Sequence, residues 1–276
     1  MSQLRLLGTM IAYGYPGLSL ESEFDLVDRI GAEVVEILPN WSALPSPSEV
    51  RQQALDRGIR IHSAHGCWGG QSIKALRVDL ASTDPIVHQA SLDDLRRCLD
   101  WIEEADGSHL VIHPGGLSDP LEANSRRASL MAGLYQLIEH ARTGKVTLCL
   151  ENMPPGVWPG SRMSDLKSLV DEIDHPMLAL AIDTGHAQMV SNPAEETRTA
   201  GDRLGTTHVH DNNGRRDTHQ PPGEGVVDWF DWVEALDQVD YRGPIVLECI
   251  KDLRDDPTKM TRRFFEILDL LTGKGR

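Results

Sequence analysis

Between Thr207 and Gly225 the chain reads THVHDNNGRRDTHQPPGEG, with three His, three carboxylates, two Arg and three Gly behind a short apolar strand signal. His208, Val209 and His210 alternate as a strand does, which puts the two imidazoles on one face. Asn213-Gly214 turns the backbone. Asp217 and His219 then bracket one residue, and on an extended segment a carboxylate and an imidazole at that separation reach the same cation. Pro221, Pro222 and Gly223 stiffen the exit. A solvated loop can carry the same residues, so the choice depends on what the other strands bring to this stretch.

Those strands are read from the apolar pattern. Leu4 to Met10 is an apolar run, followed by helical spacing from Leu20 to Ile30 after the cap Ser19. Glu33 to Leu38 is the second strand and Ser48 to Arg57 its helix; Ile59 to His65 is the third, opening into Gly66-Cys67-Trp68-Gly69-Gly70 before a long helix from Asp84-Pro85 to about Ala105. The pattern repeats with His109 to His113 and Leu121 to Arg142, then Val146 to Glu151 and Ser164 to Ile173. It continues with Leu178 to Asp183 and a short helix at Ala194 to Ala200. The seventh strand is the opening stretch, with a helix at Val227 to Leu236, and the eighth is Pro244 to Glu248, before a closing helix of about Thr258 to Leu271. Eight strand-helix pairs predict an α/β fold, a (β/α)₈ TIM barrel, with residues 1–276 as a single domain. No Gly-rich fingerprint follows the first strand, which disfavours a doubly wound open sheet.

In such a barrel the C-terminal strand ends converge on one mouth. Here they carry Glu36, His65, His113, Glu151, Asp183, His210 and Glu248, with His186 just past Asp183 and Asp217 and His219 past His210. So many carboxylates together repel one another unless cations intervene. Glu151, Asp183, His210 and Glu248 make an oxygen-rich set suited to Mn²⁺, Mg²⁺ or Co²⁺, with Zn²⁺ also accommodated. His65 and His113 with Glu151 form a second group, and His186, Asp217 and His219 a third; each residue in them is a metal ligand or a substrate contact.

Composition narrows the partners. A net charge of −15 and a pI near 5.1 oppose general nucleic-acid affinity. The cysteines at 67, 98, 149 and 249 form no CxxC pair, so buried thiols in a reducing compartment are expected rather than disulfides or a zinc knot. The N-terminal apolar run is too short for a membrane span and lacks a cleavage pattern, which gives the expectation of a cytoplasmic protein without membrane contact. Self-association is left open.

HPGG at 113–116, ENMP at 151–154, DTGH at 183–186, HVHDNNGRRDTHQPPGEG at 208–225 and LE at 247–248 resemble the xylose isomerase-like TIM-barrel superfamily over nearly the whole chain. Its sugar isomerases and epimerases, of the tagatose 3-epimerase and hydroxypyruvate isomerase type, hold one metal on two Glu, one Asp and one His. The resemblance assigns these roles to Glu151, Glu248, Asp183 and His210, with the two Glu also serving as proton acceptor and donor. Its endonuclease IV-type members use three zinc ions and nine ligands on abasic DNA. By motif these would be His65, His113, Glu151, Asp183, His186, His210, Asp217, His219 and Glu248, and all nine are present. The shorter loop between His210 and Asp217 and the acidic balance favour the first branch.

The expectation is therefore a divalent-metal-dependent isomerase or epimerase acting on a small sugar, keto-sugar or cyclitol through an enediolate, with dehydration from the same species as a variant. Arg215 or Arg216 would bind a phosphate or hydroxyl. Trp68 and Trp158 would wall off water.

Overall fold

Runs of three to seven residues, apolar on the side that meets the helices, form the eight strands. The computed structural model describes residues 4–15, 17–40, 45–66, 78–141 and 145–274. The first half comprises β1 (Leu7–Tyr13), α1 (Leu20–Ile30), β2 (Val34–Pro39), α2 (Pro47–Asp56), β3 (Arg60–His65), α3 (Pro85–Glu104), β4 (His109–Ile112) and α4 (Ala123–Ala141). Then come β5 (Thr147–Glu151), α5 (Met163–Ile173), β6 (Leu178–Asp183), α6 (Thr184–Val190), α7 (Pro193–Ala200), β7 (Leu204–His208), α8 (Trp229–Gln238), β8 (Ile245–Leu247), α9 (Ile250–Asp255) and α10 (Arg262–Thr272).

The strands pair in parallel in the order β7-β6-β5-β4-β3-β2-β1-β8. β7 and β8 meet through one parallel bridge, Val209 to Leu247, and the Thr207 hydroxyl, which donates to Pro244 O and accepts from Val246 N, extends that joint. The expected (β/α)₈ barrel is thus the observed one.

Period-2 alternation divides each strand between two environments. Leu110, Ile112, Leu148, Leu150, Leu180 and Ile182 lie in the large apolar cluster beneath the helices, whereas Val111, Cys149 and Ala181 form a small cluster inside the barrel. The next inward position on β5 is therefore Glu151, and on β6 Asp183. The helices are fixed by local chemistry. A Ser46–Glu49 capping box starts α2, Asp84 caps α3, and Ser19 caps α1, which Gly31 ends in the left-handed conformation.

Several boundaries differ from expectation. β1 begins at Leu7 rather than Leu4, because pairing with β2 starts at Gly8↔Val34 and Leu4 is exposed. Helices α6 and α9 arise where loops were expected; the carboxylate of Asp183 itself caps α6, accepting from His186 N. His210 lies just beyond β7, and His219 has φ +46°, so the Asp217–His219 segment is folded rather than extended. Cys98, Cys149 and Cys249 are buried. Cys67 and Trp68 lie outside the described residues. Among the described residues no helix is long and apolar enough to cross a membrane.

Candidate metal centre

A fully buried polar contact inside the barrel joins β2 to β7. Glu36 Oε1 lies 2.7 Å from His208 Nε2, and Glu36 Oε2 accepts from Ser63 Oγ at 2.5 Å, with all three residues fully buried. The other nitrogen of His208, Nδ1, is 3.1 Å from Glu151 Oε1 and 3.2 Å from Glu248 Oε2. Burial alone would lower the pKa of this imidazole; Glu36, Glu151 and Glu248 outweigh it and hold His208 well above the ordinary value. Reciprocally, burial works to raise Glu151 and Glu248, but His208 and a further histidine each, His113 and His219 respectively, keep both well below the carboxylate range. Sequence reading placed His208 on the face of His210 and gave it no role. Its partner Glu36 is 172 positions away, so the period-2 alternation was the only signal available.

Above this layer the expected residues gather. Glu151 Oε2 lies 3.1 Å from His113 Nε2 and 3.8 Å from His65 Nε2. Burial and the neighbouring His113 lower the His65 pKa, which favours the neutral form a metal ligand needs. On the other side Asp183 Oδ2 is 3.0 Å from His210 Nε2. The α6 N-terminus can sit over that ring only because residue 185 is glycine: a Cβ there would lie 1.9 Å from His210 Cε1. His186 Nδ1 is 2.9 Å from Asn152 O and its Nε2 3.1 Å from Asp217 Oδ2, which also lies 3.2 Å from His219 Nε2. The His219 ring stacks on His210 with centroids 4.0 Å apart. Burial would depress both His186 and His219, yet the surrounding carboxylates, Asp183 foremost for His186 and Glu248 for His219, raise each to about 10.

All eleven expected site residues except Arg215 and Arg216 therefore converge; those two are exposed on the same loop. Trp158 lines a separate groove with Asn124 and Arg127.

The donor set fits a cation. The three expected carboxylates, Glu151, Asp183 and Glu248, offer atoms within 4.8 Å of one another together with His208; the expected imidazole, His210, instead groups with Asp183 and His186 and with His219 and Glu248, and His65, His113 and Glu151 form a further group. Glu151 Oε2, Glu248 Oε2 and His210 Nδ1 are buried without an aligned hydrogen-bond partner, a costly state that coordination would relieve. A cleft of about 550 Å³ opens beside them, walled by Met10, Leu18, Leu38 and Ile250 on one side and by His219 and Glu248 on the other. That volume suits a small molecule. A second cavity, about 420 Å³, lies at the opposite end of the barrel around His62 and Arg60, away from these carboxylates.

The xylose isomerase-like TIM barrel family model matches residues 24–268. The chain is 30% identical over 202 residues to an uncharacterized protein of Methanocaldococcus jannaschii, covering 68% of this chain and 67% of that one. It is 30% identical over 245 residues to an L-ribulose 3-epimerase of Methylomonas sp., covering 83% and 78%. Among solved structures, a D-tagatose 3-epimerase-like protein superposes with a TM-score of 0.79 at 22% identity, over 98% of this chain and 100% of the other. A D-psicose 3-epimerase does so at 0.75 and 19%, over 96% and 99%. The chain belongs to the xylose isomerase-like TIM-barrel family.

Proposed function

We propose that the protein is a divalent-metal-dependent epimerase of a small ketose or related keto-sugar, with Glu151 and Glu248 as the proton-transferring pair. The observation that carries this reading is the arrangement of those two carboxylates. They come from different strands, β5 and the end of β8, and meet at one imidazole nitrogen of His208, Glu151 through Oε1 at 3.1 Å and Glu248 through Oε2 at 3.2 Å. Their similarity to residues of sugar epimerases supports it, as does the L-ribulose 3-epimerase relative.

Glu151, Asp183, His210 and Glu248 would hold the cation, which when bound supplies Lewis-acid polarisation of a carbonyl and its neighbouring hydroxyl. One glutamate removes the proton from the carbon next to the carbonyl, leaving the C–H electron pair in the enediolate. The other glutamate, protonated, returns a proton to the opposite face of that carbon. The charge on His208 favours the ionised form that the proton-accepting glutamate needs, in a site where burial alone would protonate it, and the donor glutamate enters the cycle carrying its proton. His186, with its ring tied to Asn152 O and Asp217, offers a fixed polar contact to the substrate. Met10, Leu18, Leu38 and Ile250 give the cleft apolar surface for the carbon skeleton of a substrate.

Turnover of a ketose in D₂O tests the reading. Deuterium should enter at the carbon next to the carbonyl, and Glu151→Gln or Glu248→Gln should each lower kcat by about 10²-fold or more while retaining metal. Product without solvent deuterium, or full activity in either variant, would refute it. A second reading, a trinuclear phosphodiesterase, is favoured by one observation: His65 and His113 group with Glu151, and Asp217 Oδ2 lies 3.1 Å from His186 Nε2 and 3.2 Å from His219 Nε2 beside them. Three ions per chain with incision at abasic DNA would establish it.

A further inference from the structure

Asp211 follows His210 directly, and its carboxylate is fully buried beneath the loop that carries Asp217 and His219. Four N–H groups converge on it. Oδ1 accepts from Asn212 N at 2.9 Å and Val227 N at 3.1 Å, and Oδ2 from Gly223 N at 2.9 Å and the Trp229 indole Nε1 at 3.2 Å. Its backbone pairs in both directions with Gln220, at 2.7 and 2.9 Å. One buried side chain thus ties the start of the loop to its end and to α8. The packing leaves no room for a side chain at Gly225, where a Cβ would lie 2.2 Å from Asp211 Oδ1 and 2.3 Å from Asn212 O. At the far side of the loop His219 is held at φ +46°, uncommon for a residue with a Cβ, with Nδ1 3.0 Å from Glu248 O and Nε2 on Asp217. Strain of that kind persists only where the surroundings over-determine it.

We infer that Asp211 is a positioning residue of the site: it sets the shape of the 212–227 loop and acts on the chemistry through Asp217 and His219, which it presses against His186 and His210. The turnover consequence rests on the epimerase reading. The loop consequence does not.

The test is a double-mutant cycle on the full, ion-loaded chain, pairing Asp211→Asn with His219→Gln. Asn keeps the shape but turns one acceptor oxygen into a donor facing the N–H groups that Asp211 accepts from. Two readings are taken for each variant: amide hydrogen exchange of residues 220–227 against that of β5 and β6, and the ring N–H resonance of His219, identified by its loss in His219→Gln. In Asp211→Asn the loop amides should lose protection while β5 and β6 keep theirs, and the His219 resonance should broaden or vanish. kcat/KM should fall about tenfold or more, the scale of a misplaced positioning group. Adding His219→Gln to Asp211→Asn should then cost less than about twofold, since both substitutions remove one arrangement. Penalties that multiply, or loop amides and a His219 resonance that stay as in the wild type, would overturn the assignment. A merely stabilising Asp211 would lower protection throughout and leave the two penalties independent. If Asp211→Asn does not fold, Trp229→Phe, which removes one of the four donors, is put through the same cycle with the same outcomes in weaker form. Should no epimerase turnover exist at all, exchange and the ring resonance decide the loop question alone.

Discussion

Replacing His208 by Ala would leave Glu36, Glu151 and Glu248 facing one another across a buried space from which the counter-charge they share has gone. The three carboxylates lie 2.7, 3.1 and 3.2 Å from the imidazole; Glu36 and Glu151 are sealed from solvent, and Glu248 reaches only the edge of the cleft. Removing one partner of a buried ionic group typically costs about 3–5 kcal/mol, because the remaining charge is uncompensated. At roughly 2–4 °C per kcal/mol for a chain near this size, the melting temperature should fall by about 6–20 °C. The measurement is a thermal melt with chelator present, since a bound cation would itself compensate the carboxylates. A second variant fixes the cause. Adding Glu36→Gln to His208→Ala removes one of the stranded charges, and should recover part of the loss, about 1–3 kcal/mol. If His208→Ala melts within about 3 °C of the wild type, or if the double variant is less stable than the single, then His208 is not the electrostatic centre of the barrel.

Other outcomes follow from the same geometry. Chelation should lower the melting temperature, and Mn²⁺, Co²⁺ or Zn²⁺ at about 100 times its Kd should return about 2.7 kcal/mol; an unchanged melting point would remove the cation from the native state. Burial, with His109 and Arg60 alongside, lowers the pKa of His62 at the opposite end of the barrel from 6.5 to about 3. With the folded value depressed, the unfolded chain takes up the proton first, so stability is full above about pH 6.5 and falls between there and pH 3. His62→Gln should flatten that part of a urea-midpoint profile, and equal slopes in the two proteins would contradict it. With a net charge of −15, duplex DNA should not bind at physiological salt in a mobility-shift assay; binding that weakens steeply with salt would revive the nuclease reading.

The barrel was readable because strands two to eight each closed at or near a His, Asp or Glu after an apolar run. The bounds of β6 and α1 are those the periodicity gave, and the polar residues at the C-terminal ends of β5, β6 and β8 meet as parallel closure requires. What escaped were residues whose meaning depends on distant partners. His208 is one side chain in an HxH pair until Glu36 is brought against it by the closing of eight strands. Asp211 reads as one more polar residue of a hydrophilic loop; only the return of Gly223, Val227 and Trp229 buries it. Helix α6 was missed for the opposite reason. Its cap is Asp183, read only as a strand end and a candidate ligand, whose carboxylate accepts from His186 N and also meets His210.

The joint between β7 and β8 lies at the level of the site. Seven of the eight strand junctions are ladders of several registered pairs, but this one rests on the single Val209–Leu247 bridge, with Val209 N donating to Val246 O at 2.8 Å and Glu248 N to Val209 O at 3.0 Å. His210 stands on one lip of that junction and Glu248 on the other. A cation held by both would act as the clasp of a split ring. Its departure would then ease the parting of the two strands, and the ion that serves the chemistry would also favour closure of the ring. The amides of Val209 and Glu248 would then exchange at a rate set by the concentration of free metal, and the lifetime of the closed barrel in a metal-poor solution would be the lifetime of a bound ion.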